Sequence, residues 1–215
     1  MGNQSDQAVE QLQRMIEHGE LRPGSMVSER GLMELTGLGR TPVREAIQRL
    51  AMTRMLHVHP SKGIEVPAVS VEDQLNGLEV RRTLESLAVT LACTRATEQD
   101  MTDMGTLRSA LTGDFQLSAY AETVRQTHAL IIRAASNPYL DTMMTPLQAL
   151  SRRFWIIHVS DTAREIAEGR ALHAEILTQI LNRDANAAKT ASLALNDYLV
   201  RFAVATITRR AHPGN

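Results

Sequence analysis

The chain has 215 residues, of which 22% are charged and only 3% aromatic, and its formal net charge is −1. That length allows one large domain or two small ones. The near-neutral balance excludes a basic field over the whole molecule, so affinity for nucleic acid has to come from a local patch. The few aromatics argue against a stacking platform for single strands. A single cysteine, Cys93, excludes an intrachain disulfide and fits a reducing compartment. Residues 1–20 lack the apolar run of a signal peptide, and no stretch is long and apolar enough to span a membrane. A cytoplasmic location and no membrane partner are therefore expected.

In chain order, Ala8, Leu12, Met15 and Ile16 recur at helical spacing and predict a first helix that stops near Gly19. Leu21-Arg22-Pro23-Gly24 reads as a turn. Ser28 is an N-cap for a second helix carrying Leu32, Met33 and Leu35, and Thr36-Gly37-Leu38-Gly39 turns the chain again. A third helix follows, with Thr41 as its N-cap and Pro42 at the first helical position. Val43, Ala46, Ile47 and Leu50 form its buried stripe, while Arg44 and Gln48 lie on another face. Leu56 and Val58 alternate with His57 and His59, Pro60-Ser61-Lys62-Gly63 turns, and Ile64 and Val66 alternate again, which predicts two strands with a basic tip. From Arg40 to Lys62 there are five Lys or Arg residues against one acidic residue, Glu45. Three helices and a hairpin make a winged helix-turn-helix pattern, sized for a major groove with a hairpin able to reach the backbone or minor groove. Glu45 is read as a structural residue that holds Arg49 or another arginine in place, and His57 and His59 as surface strand residues.

Residues 67–70 look like a short linker, and everything beyond reads as helix. Ser70 with Asp73 and Thr97 with Asp100 have capping spacing. Breaks at Thr112-Gly113, Asn137-Pro138, Ser160-Asp161 and Asn182 to Asp184 divide residues 71–210 into about six helices. Leu84, Leu87, Ala88, Leu91 and Ala92 mark an apolar stripe in the first; Leu172, Ile176, Ile180 and Leu181 mark one in the fifth. The expected architecture is mostly α: a winged helix-turn-helix over 1–69 and an antiparallel helical bundle over 70–215, fraying from Ala211 to Asn215.

The N-terminal part resembles the GntR family of bacterial transcription regulators. The resemblance rests on Leu21-Arg22-Pro23-Gly24, Ser28-Glu29-Arg30, Arg40-Thr41-Pro42-Val43-Arg44-Glu45-Ala46, Leu50, and Gly63 with Val66. The second part is similar to the FCD ligand-binding domain of the FadR subgroup, through Val80-Arg81-x-x-Leu84-Glu85, His128, Ser136-Asn137-Pro138-Tyr139-Leu140, His173 and Asp184. The resemblance implies a homodimer whose two recognition helices read an inverted-repeat operator in double-stranded DNA, with a metabolite in the helical domain changing operator affinity. It places Arg30, Arg40, Thr41 and Arg44 at DNA-contacting positions and Lys62 and Gly63 at the wing tip. Arginine suits guanine O6 and N7, and Thr41 and Lys62 suit phosphates. Gly39 and Lys62 stand where the family more often has Ser and Arg.

Many relatives hold a divalent metal (zinc, nickel or manganese) through Asp-x-x-x-His on one helix and two further histidines. His128 and His173 match two of those positions, but Val124 occupies the carboxylate position and Leu195 the last histidine position, where a one-residue shift brings its neighbour Asn196 into the effector site. The ligand set is thus incomplete, and three readings stay open. His128 and His173 hold a metal weakly, hydrogen-bond an effector directly, or are core histidines. Arg81 either faces the same cavity, where it suits a carboxylate effector, or pairs with Glu85 at i+4. The expectation is a ligand-responsive regulator, a repressor, and not an enzyme. The rival is a metal-dependent helical enzyme with an accessory wing, against which no nucleophile–base pair or phosphate loop is present.

Overall fold

In the computed structural model, residues 4–211 are described, with side chains as far as Ile207. The expected loose end falls, apart from Ala211, outside these residues. The described residues form two compact units: 4–70 with 152–157, and 71–151 with 158–211. This departs from the expected division into 1–69 and 70–215, because six residues near the end of a bundle helix cluster with the N-terminal unit.

The first unit contains α1 (Gln4–Glu17), β1 (Met26–Val27), α2 (Glu29–Thr36), α3 (Arg40–Met52), β2 (His57–His59) and β3 (Gly63–Glu65). Ala8, Leu12 and Ile16 of α1 meet Val43, Ala46 and Leu50 of α3 and Leu32 of α2 in a fully buried core. Ser28 caps α2 by accepting the Gly31 N–H at 3.0 Å, and Gly37 ends it in the left-handed region at φ 67°. The sheet has three strands in the order β1-β3-β2, all antiparallel. β1 has only two residues, too few to show a period of two, so sequence pattern did not reveal it. Val58, expected on the inner face with Leu56, is 53% exposed, whereas Leu56 is buried.

Two helix-start expectations in α3 are corrected. The helix begins at Arg40 with Gly39 as N-cap and no side-chain cap, so Thr41 and Pro42 lie within its first turn. Arg49 pairs with Asp6 at 2.6 Å, and Glu45 accepts from Ser5 instead of holding Arg49.

The second unit is built on α4 (Val71–Arg95), α5 (Glu98–Ala110), α6 (Leu117–Ala135), most of α7 (Pro138–His158), α8 (Thr162–Leu181) and α9 (Ala185–Ala211). Thr97 and Asp100 form the expected capping box. The longest helices, α4 and α9, pack along each other, with α6 and α8 against them. The α4 stripe is rotated from the expected one. Its buried face carries Leu78, Arg81, Glu85, Ala88, Val89 and Ala92, while Leu87 is 45% exposed. Apolar residues stand on both sides of this helix, so their spacing alone does not choose the inward face.

Candidate DNA interface and effector cavity

Helix α3 buries Val43, Ala46, Ile47 and Leu50 and thereby turns Arg40, Thr41, Arg44 and Gln48 outward. Arg40 and Arg44 are one turn apart and share a face. Between them stands Glu29 of α2, 3.3 Å from Arg40 Nε and 3.5 Å from Arg44 Nε. Arg30 sits on α2 with its side chain exposed, donating to Glu34 at 2.9 Å. Exposed pairs of this kind are worth about 0.2–1 kcal/mol, so a phosphate or guanine can displace Glu29 or Glu34 at little cost. They hold the guanidiniums extended without tying them down.

Lys62 is exposed on the turn between β2 and β3, and its amide donates to the His59 carbonyl at 3.2 Å. Gly63 has a structural requirement of its own. Its φ is 109°, and a Cβ there would lie 3.2 Å from the Val27 carbonyl oxygen of β1. No other residue adopts that backbone without strain.

In the helical unit, His128 of α6 and His173 of α8 are both buried, with their Nε2 atoms 3.4 Å apart. His173 Nδ1 donates to the Gly169 carbonyl at 2.6 Å, which leaves its Nε2 as the acceptor of a neutral ring. Burial pulls this imidazole down to about 4, against a smaller opposing effect of the Gly169 carbonyl. Gly169 is glycine because the Tyr120 hydroxyl lies 2.2 Å from where a Cβ would stand.

Beside this pair is a cavity with about 20 Å³ of free space, room for about one water molecule. Its polar lining is Glu85, His128, Gln148 and Ser192; Val89, Ile131, Met144, Ile176 and Leu195 supply apolar wall. Glu85, like Gln148 and Ser192, is a wall residue that sequence reasoning missed. Its Oε1 accepts from Arg81 at 2.6 Å and from Gln148 at 3.3 Å, while among the described residues no donor reaches its buried Oε2.

Two expected cavity residues lie elsewhere. Arg81 is buried and committed to Glu85 through both Nε and Nη2, the i+4 pairing that was the alternative for it, and it is not part of the cavity wall. Asn196 is also buried, but its amide donates to the Leu78 carbonyl at 3.0 Å and its oxygen faces Arg82. It ties α9 to α4, and its neighbours Leu195 and Ser192 face the cavity instead.

The donor set fits a resident metal poorly. Two imidazole nitrogens 3.4 Å apart match the roughly 3.3–3.4 Å between ligands of one tetrahedral ion with bonds of about 2.0–2.1 Å. But Val124 and Leu195 are buried and apolar. Among the described residues, no third His, Cys, Asp or Glu completes a metal-binding group there.

Comparison with known proteins accounts for both halves of this arrangement. Residues 4–66 match the model of bacterial regulatory proteins of the gntR family, and residues 77–197 match that of the FCD domain. The chain belongs to the GntR family. Within it, this chain is 35% identical over 107 residues to the HTH-type transcriptional regulator McbR of Escherichia coli, a match spanning 49% of this chain and 48% of that one. It is 24% identical over 192 residues to the uncharacterized HTH-type regulator YdhC of Bacillus subtilis, covering 87% and 85% of the two chains. The first of these matches thus spans about half the length of the relative, the second most of it. The solved structure of E. coli McbR/YncC superposes with a TM-score of 0.79 at 22% identity, over 96% of this chain and 100% of that one. A GntR regulator from Rhodococcus sp. RHA1 gives 0.72 at 18%, over 95% and 97%. These structures share the fold: a GntR reading head joined to a helical FCD domain.

Proposed function

We propose that this GntR-family chain acts in the cytoplasm as a homodimeric repressor. Two copies of α3 read an inverted-repeat operator, and a small effector in the FCD cavity changes operator affinity. The observation that carries the DNA reading is the outward face of α3, where Arg40 and Arg44 stand one turn apart beside a single partly exposed carboxylate, Glu29. Arg30, Thr41 and Lys62 are exposed as well and add phosphate and groove contacts. Among the described residues no helix is long and apolar enough to cross a membrane. Exposed apolar side chains in the helical unit, including Val80, Leu87, Val204 and Ile207, support self-association. The matched relatives are transcription regulators, which favours this reading over an enzyme.

The cavity supports direct effector binding without a metal. Saturation of Arg81 by Glu85 removes the cation that motivated a carboxylate effector. The open valence in the wall is instead an acceptor, Glu85 Oε2, so the effector presents a hydroxyl or amine donor to it. Space for about one water means that an effector has to part the wall residues. It therefore selects a different helix arrangement from the closed one.

Selection of bound sequences from randomised duplex DNA, followed by footprinting with the full chain, tests the DNA reading. The expected product is a short inverted repeat protected on one face. A chain that binds no duplex above its non-specific level at matched salt would refute it.

A further inference from the structure

One side-chain cluster is used by neither the DNA face nor the FCD cavity. His57 and His59 lie on β2 two residues apart, so their side chains emerge on the same face of the sheet. Glu65 on β3 is directly opposite His57 in the register, and His59 is opposite Gly63. Gly63 has no side chain, so Glu65 reaches diagonally across it to His59, and His59 Nε2 donates to Glu65 Oε2 at 2.6 Å. His57 Nδ1 lies 3.8 Å from the same oxygen. One ligand atom from each of the three lies within 4.8 Å of the other two.

We propose that His57, His59 and Glu65 form a binding site on the wing for a late first-row divalent cation, with zinc as the reference ion. The donor chemistry carries this. Two imidazoles and one carboxylate are a set that zinc, nickel, cobalt and copper accept, and alkaline-earth ions, which want oxygen, do not. The spacing carries it as well. Ligands of one tetrahedral ion stand about 3.3–3.4 Å apart, between the 2.6 Å and 3.8 Å found here, so small side-chain rotations bring all three onto one ion. The backbone beneath is fixed, because β3 is the central strand and pairs with β1 on one side and β2 on the other. All three side chains are partly exposed, which leaves the remaining coordination positions open to water or another small ligand. A bound ion cross-links β2 to β3 immediately beneath the turn that carries Lys62.

The site is separate from the His128–His173 pair, and its test has to keep the two apart. Untagged full-length protein, stripped with chelator, is titrated with cobalt(II) as the visible probe and then with zinc. The wild type is compared with His59→Gln, Glu65→Gln and, for the other pair, His173→Gln. The wild type and His173→Gln are expected to take up the ion with shifts in the His57 and His59 ring resonances. His59→Gln and Glu65→Gln should each bind at least about tenfold more weakly. Both are substitutions at partly exposed positions, and circular dichroism checks that the fold is kept. Lack of uptake by the wild type overturns the proposal. So does wild-type affinity in His59→Gln, or uptake abolished by His173→Gln alone. None of these outcomes depends on whether the chain represses transcription.

Discussion

At the residue scale, Arg44 is the sharpest case. It is exposed, it stands on the second turn of α3, and its ion-pair partner among the described residues, Glu29, is 3.5 Å away. A guanidinium so placed is available for a bidentate bond to guanine, worth about 1–3 kcal/mol of discrimination. Arg44→Ala should therefore weaken operator binding by about 1–3 kcal/mol and relax the preference at one base pair per half-site. Band shifts at matched salt check this, and unchanged affinity would remove Arg44 from the contacts. Arg81 shows the opposite outcome for the same residue type. Sequence offered it either a ligand or Glu85, and burial decided for Glu85. An uncompensated guanidinium in the interior is too costly to leave waiting for an effector.

At the scale of an element, α6 bears on whether the His128–His173 pair can hold a metal. Val124 and His128 are four apart and share a helical face, and both are buried. Val124 stands where the resemblance implies a carboxylate, and its isopropyl group is buried. Val124→Asp should restore a third ligand beside His128 and His173. Without metal the variant should lose stability, because a buried carboxylate has no partner there. With zinc it should regain stability, read as a rise in Tm with metal concentration beyond any seen in the wild type. An equal rise in both proteins would show that position 124 has no part in metal binding. The boundaries marked by Ser28, the Thr97–Asp100 box and the Asn137-Pro138 break were legible because these signals act locally, whereas the start of α3 was displaced from Thr41 to Gly39. The rotation of α4 was not legible, because it depends on where α9 packs.

At the scale of the whole molecule, the buried neutral His173 links stability to pH. Burial holds it at about 4 in the folded chain, below the ordinary histidine value of about 6.5. The unfolded chain therefore binds more protons between these values, and stability falls as pH drops through that window. The loss begins below about pH 6.5, levels off below about pH 4, and is on the order of 3 kcal/mol. Urea unfolding across this range should show a steeper decline for the wild type than for His173→Gln. Equal slopes would mean that the imidazole is already protonated in the fold, or is not buried in solution.

By itself the sequence determined the GntR reading head, the outward Arg40 and Arg44, and the six helices found among the described residues beyond position 70. Each rests on local spacing or on a motif whose residues are neighbours in the chain. Tertiary structure alone decided that Glu85 and Ser192 line the cavity, that Asn196 ties α9 to α4, and that His57, His59 and Glu65 converge. These facts depend on which faces of separate elements meet. Helix rotation and strand register are set by packing between segments far apart in the chain, and no single segment's periodicity contains them.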